Sequence, residues 1–95
     1  MPENESLHVY TVVFTSADAD RGSFPEPWTE GSYLLRSRAV EQLNRLADAE
    51  KKTLDTNRYD REERTETSWE AYQEGYAAAC FVRLEILESE LHICE

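Results

Sequence analysis

At 95 residues, with 40% apolar side chains including five Tyr, three Phe and two Trp, the chain suits one packed domain spanning 1–95 and does not have the composition of a disordered tail. Its formal net charge of −10, from 20 acids against 10 bases, argues against direct binding to nucleic acid or an anionic membrane and favours a basic protein surface as partner. No apolar run approaches the roughly 18 residues of a membrane span, and Met1-Pro2-Glu3-Asn4-Glu5 lacks the basic and apolar blocks of a signal peptide, so the expectation is a cytoplasmic protein with Cys80 and Cys94 reduced.

The charge is uneven. Residues 1–34 carry −5, residues 35–57 carry +1 and residues 58–95 carry −6. The acids therefore gather toward the two ends of the chain. A surplus of this kind either recruits basic partners or serves solubility alone.

Leu7 to Thr15 reads as a strand, rich in Val, Tyr, Thr and Phe. Residues 16–31 read as a loop, with Asp18, Asp20, Gly22, Pro25 and Pro27 as its turn residues. Phe24 and Trp28 inside it either pin the loop to the domain or serve as exposed anchors for a partner. Ser32 to Arg36 reads as a short second strand. Ser37 is then placed to cap a helix from Arg38 to about Lys52, with Ala39, Val40, Leu43, Leu46 and Ala47 as its apolar stripe. Glu41–Arg45 and Asp48–Lys52 are acid-before-base pairs that support it.

Thr53 to Glu66 is dense in mixed charge and reads as a solvated loop or an exposed helical turn. Thr67-Ser68-Trp69-Glu70 has the form of a capping box and predicts a second helix through about Ala79, with Trp69, Tyr72 and Tyr76 on one face. Gly75 weakens that helix by about 1 kcal/mol. Cys80 to Cys94 alternates as a strand, with a bulge expected after Leu87; a continuous helix from Trp69 to Leu91 is the alternative.

Three segments together resemble a pattern found in small acidic phage and mobile-element proteins: His8-Val9-Tyr10-Thr11-Val12-Val13-Phe14, Ser32-Tyr33-Leu34-Leu35-Arg36-Ser37-Arg38-Ala39-Val40, and Phe81-Val82-Arg83-Leu84-Glu85-Ile86-Leu87-Glu88-Ser89-Glu90-Leu91. The resemblance implies an α+β fold, a small antiparallel sheet of about three strands with two helices on one face, in the order β-β-α-α-β. Some such proteins are anti-CRISPR or anti-restriction inhibitors, which implies the same class of partner here.

Catalytic signatures are lacking, and the reading is a non-enzyme without cofactor. Gly22, Gly31 and Gly75 stand too far apart for a phosphate-binding loop. Asp18 and Asp20 depart from a calcium loop, because Gly22 stands where a third oxygen ligand is needed and Thr29 where a Glu is needed. His92 and Cys94, with His8 or Cys80 from neighbouring strands, have the chemistry of a metal site but too few ligands at recognisable spacing; a small metal-binding regulator is one alternative. The preferred reading uses Glu85, Glu88 and Glu90, supported by Glu70 and Glu74, as a charge mimic of a nucleic-acid backbone, because Glu88 and Glu90 on a strand repeat at about 6.6 Å. Trp28 is the candidate aromatic anchor. A monomer or homodimer is expected, and assembly through a sheet edge is the second alternative.

Overall fold

The computed structural model describes residues 4–18, 22, 27–76 and 79–94, with side chains for 7–18, 22, 27–76 and 79–90. Its elements are strand β1 (Asn4–Asp18), strand β2 (Trp28–Tyr33), helix α1 (Arg36–Thr53), strand β3 (Arg61–Arg64), strand β4 (Ser68–Tyr72) and strand β5 (Cys80–Cys94). The strands form one antiparallel sheet in the order β2-β1-β5-β4-β3. α1 follows edge strand β2 and precedes edge strand β3, so it connects the two sides of the sheet.

Neighbouring residues of a strand point to opposite faces, and the register shows which residues share one. Val12 pairs with Ile86, Phe14 with Leu84, and Leu84 with Trp69. α1 covers that face with Ala39, Leu43 and Ala47, each fully buried, against Val12, Trp69, Ala71, Val82 and Leu84. Buried positions four apart give one helical stripe, which belongs to the same core cluster as Trp69. Charged struts tie the outer edge of the sheet to the helix. Lys51 reaches Glu62 at 3.2 Å, and Arg64 reaches Asn44 at 2.8 Å and Asp48 at 3.4 Å.

Several expectations are corrected. The fold has five strands and one helix, not three strands and two helices. The segment expected as a second helix holds β4 instead, because Trp69 and Ala71 alternate in burial with Ser68, Glu70 and Tyr72. Gly75 then takes φ 82°, a turn conformation, and not a helical one. Arg61–Arg64, expected in a loop or helical turn, is a fully exposed edge strand specified by its pairing with β4. The alternative of one long C-terminal helix is likewise overturned, since Cys80–Cys94 is strand β5.

Smaller shifts follow. β2 begins at Trp28, inside the expected loop, and ends at Tyr33. α1 starts at Arg36, so Ser37 lies inside it, and Leu35 stands at the cap with no side-chain bond. β1 and β5 pair without interruption from Asn4↔Cys94 to Asp18↔Cys80, leaving no bulge after Leu87; the register shift lies between Val12 and Val13 against β2. Near it Gly31 has φ 142°, and a Cβ there would meet the Tyr33 hydroxyl at 2.8 Å. Phe24 lies outside the described residues.

Trp69 is the largest fully buried side chain, and its Nε1 has no hydrogen-bond partner among the described residues. Trp69→Ala should destabilise the protein by about 3–5 kcal/mol in urea denaturation. Trp69→Phe should cost clearly less, because it also removes a buried donor that no acceptor satisfies.

Candidate interaction surfaces

β1 and β5 are each 15 residues long, but their neighbours cover only part of them. β2 pairs with Tyr10–Phe14 of β1. β4 pairs with Phe81–Glu85 of β5, and one further bond runs from the Ile86 amide to the Thr67 carbonyl. Residues 4–9 and 89–94 therefore leave the body as a two-stranded ribbon, with Glu88 and Leu87 at its root, and the molecule measures 56 × 24 × 18 Å.

The ribbon has two unlike sides. On the helix side His8, Tyr10, Glu88 and Glu90 share a face, through the pairs His8↔Glu90 and Tyr10↔Glu88. Glu88 Oε1 lies 2.8 Å from His8 Nδ1, and both side chains are about half exposed. On the other side lie Leu7, Val9, Thr11, Leu87 and Ser89, through the pairs Val9↔Ser89 and Thr11↔Leu87. Leu7 is 42% exposed and Leu87 is 48% exposed. At the root of the ribbon Leu34 and Leu35, also largely exposed, follow directly on Tyr33, the partner of Tyr10.

Toward the body this face, the one away from α1, changes character. Phe81 and Ala17, a register pair, are buried there, and the Arg83 guanidinium sits 4.7 Å from the Phe81 ring centroid. Arg83 Nε donates to Glu70 Oε2 at 2.7 Å across the β4–β5 pair. Glu63, Glu70 and Glu85, with Thr65, Ser68 and Arg83, line an open notch of about 180 Å³. Three carboxylates face one guanidinium, so the notch suits a partner's cationic side chain better than an anion.

The candidate residues are thus divided. Glu70 and Glu85 share the notch on the uncovered face. Glu88 and Glu90 share the opposite side of the same sheet. Glu74, expected on a helix, lies in the β4–β5 turn and accepts from Arg61 at 2.7 Å. Trp28 stands on edge strand β2, 60% exposed, stacked on Phe14 with centroids 6.0 Å apart, while its Nε1 donates to Glu30 at 2.6 Å. Glu63 belongs to the acidic notch but stood among the candidates only as part of a mixed charge run; β3–β4 pairing is what brings it beside Glu70.

The described arginines are all committed within the molecule. Arg36 pairs with Glu66, Arg38 and Arg45 with Glu41, Arg58 with Asp18, Arg61 with Glu74, Arg64 with Asp48 and Arg83 with Glu70. The Arg36 hydrogen bond holds the Glu66 carboxyl below its usual range. Arg58 and Asp18, both mostly buried, meet beside Cys80 and Tyr59. Burial opposes the charge on Arg58, yet the Asp18 carboxylate outweighs it and raises the Arg58 pKa. Cys80 is buried and free. Fourteen strand steps along β5 separate it from Cys94, about 48 Å at strand rise, so the two cannot join within one chain. The metal reading centred on His92 and Cys94 falls outside the described side chains. Among the described residues no group of three or more His, Cys, Asp or Glu is placed to hold a metal ion, and no helix is long and apolar enough to cross a membrane.

No protein-family model, curated protein or solved structure matches this chain.

Burial, with Cys80 beside it, raises the Tyr59 hydroxyl pKa above the ordinary tyrosine value. A pKa raised on folding gives stability that is present below the unfolded value of about 10 and lost as pH climbs through the folded one. Ultraviolet titration should show a late-ionising tyrosine that Tyr59→Phe removes, and unfolding free energy should fall more steeply above about pH 10 in the wild type than in Tyr59→Phe.

Proposed function

We propose that this chain is a non-catalytic binding protein that occupies a basic surface of a protein partner, of the kind that otherwise holds nucleic acid. The observation that carries the reading is the distribution of charge. All seven described arginines and Lys51 are held by the chain's own carboxylates. Among the described residues Lys52 is the one cation without such a carboxylate, so what remains to face a partner from a total of −10 is predominantly negative. Such a surface steers itself toward Arg- and Lys-lined grooves and is screened by salt.

Two acidic places are available for the contact. Glu88 and Glu90 stand on one side of β5 at about the spacing of successive phosphates, and the Glu63–Glu70–Glu85 notch lies on the other side. Mimicry of a nucleic-acid backbone therefore rests on Glu88 and Glu90, because Glu85 faces the other side of the sheet and Glu74 lies outside β5, in the β4–β5 turn. Trp28, half free of its Phe14 neighbour, is the aromatic contact on the far edge. The role follows the resemblance to phage-type inhibitors, with a partner complex that handles nucleic acid.

Fluorescence anisotropy with a labelled oligoarginine peptide tests the localisation of the charge. Glu88→Gln/Glu90→Gln should weaken binding by about 5-fold at low salt, whereas Glu41→Gln/Glu50→Gln on α1, with the same change in net charge, should weaken it by less than about 2-fold. Equal losses from both pairs would show that only total charge matters and would remove the ribbon from the site.

A further inference from the structure

We propose that an extended basic segment of a protein partner adds to the sheet as a further antiparallel strand, along β5 where β4 stops. The inference rests on the basic partner proposed above and names how that partner is held. β4 pairs with β5 only from Phe81 to Glu85, and the last bond runs from the Ile86 amide to the Thr67 carbonyl. Among the described residues no strand lies beside β5 on that side past this bond, although β5 continues to Cys94. Leu87, Glu88, Ser89 and Glu90 are all exposed. A two-stranded ribbon is marginal in water, and a third strand is what makes such a pair durable.

The register decides which main-chain groups meet the added strand. Gln73 donates its amide to the Cys80 carbonyl, and Ile86 donates its amide to the Thr67 carbonyl. Even-numbered residues of β5 therefore turn their N–H and C=O groups toward β4, and odd-numbered ones turn theirs toward β1. Glu88 and the even positions after it direct theirs to the side on which β4 has ended. In an antiparallel pair, a residue bonded to Glu88 carries its side chain on the same face of the sheet. That is the face on which the Glu88 carboxylate stands beside His8. The next residue of the added strand faces the side of Leu87, which is 48% exposed. The segment that fits alternates Arg or Lys with an apolar residue.

Charge selects a basic segment over other occupants. No Lys or Arg follows Arg83 in the sequence, whereas Glu85, Glu88 and Glu90 follow it closely. A second copy pairing antiparallel by the same edge would bring these carboxylates near their own counterparts, and like charges across strands are destabilising. The acids at 88 and 90 therefore deter self-pairing of an edge that has no Pro, Lys or bulge over 87–94 to blunt it. To a cationic strand the same acids are an attraction. The other edge of the ribbon, along residues 4–9 of β1, holds Glu5 as its single acid and is the weaker match.

Fluorescence anisotropy of the full wild-type chain with a labelled peptide of about eight residues, alternating Arg and Val, in about 20 mM salt, provides the test. Two further peptides carry backbone N-methyl groups, one on every Arg and the other on every Val, and both keep the charge. Methylation at Arg removes the N–H groups that face β5 and should weaken binding by at least about 10-fold. Methylation at Val alters N–H groups that face away from β5 and should weaken binding by less than about 3-fold. Equal losses from the two, a larger loss at Val, or a parent peptide that fails to bind where oligoarginine binds overturns the added strand and leaves the charge reading standing. Oligoarginine that does not bind overturns the basic partner, and the added strand with it.

Discussion

The pairing of β1 with β5 is the interaction on which the rest of the molecule depends. Fifteen register pairs run from Asn4↔Cys94 to Asp18↔Cys80 without a slip. Because side chains alternate, that single register assigns Val12, Phe14, Val82 and Leu84 to the helix side and Leu7, Val9, Phe81 and Leu87 to the other. A one-residue slip would exchange the two sets and expose the core. β2 and β4 add to this pair from its two sides, and α1 closes one face with Ala39, Leu43 and Ala47. An 18-residue helix spans about 27 Å, about half the length of the long strands. The mismatch is what leaves a ribbon projecting from a well-packed body.

Electrostatics divides along the same line. Over the body, cations and anions answer each other across elements: Lys51 with Glu62, Arg64 with Asp48, Arg83 with Glu70 and Arg61 with Glu74. Each exposed pair adds only a few tenths of a kcal/mol to about 1 kcal/mol. Their greater effect is to remove positive charge from the outer surface. Toward the ribbon no arginine follows Arg83, and Glu85, Glu88 and Glu90 enter in succession. Glu88 and Glu90 then stand on the helix side, while Glu85 stands on the other side beside Leu87, so the acids of β5 divide between two faces of the same two strands.

Much of the frame was legible in the sequence. The Val-Tyr-Thr-Val-Val-Phe run marked β1, the Ala39–Leu43–Ala47 stripe marked α1, and the alternation of Val82, Leu84 and Ile86 marked β5. β4 was hidden because Ser68-Trp69-Glu70-Ala71-Tyr72 alternates over only five residues, while Thr67 to Glu70 also fits a capping box and Trp69, Tyr72 and Tyr76 fit a helical face. Tertiary burial of Trp69 and Ala71 decided between the two periods. β3, Arg-Glu-Glu-Arg, has no apolar side chain and no signal of its own. At the candidate site, the shared side of Glu88 and Glu90 followed from strand parity. The same parity places Glu85 on the opposite face, a consequence that treating the three acids as one group obscured. The Glu70–Arg83 and Glu63–Glu70 neighbourhoods depend on register between strands, which sequence spacing does not encode.

Hydrogen–deuterium exchange of the full chain, read residue by residue at a low and a high protein concentration, tests the central claim most directly. Amides of β1 and β5 within the body, such as Val12, Phe14, Val82 and Leu84, should be slow at both concentrations, because their pairing and burial are complete within one copy. Ribbon amides at residues 4–9 and 89–94 should exchange faster than these, because no further strand or helix lies beside the pair there, yet more slowly than in an unpaired chain. Ribbon amides that exchange as fast as in an unpaired chain, or body amides of β1 and β5 that exchange no more slowly than the ribbon, would contradict the account.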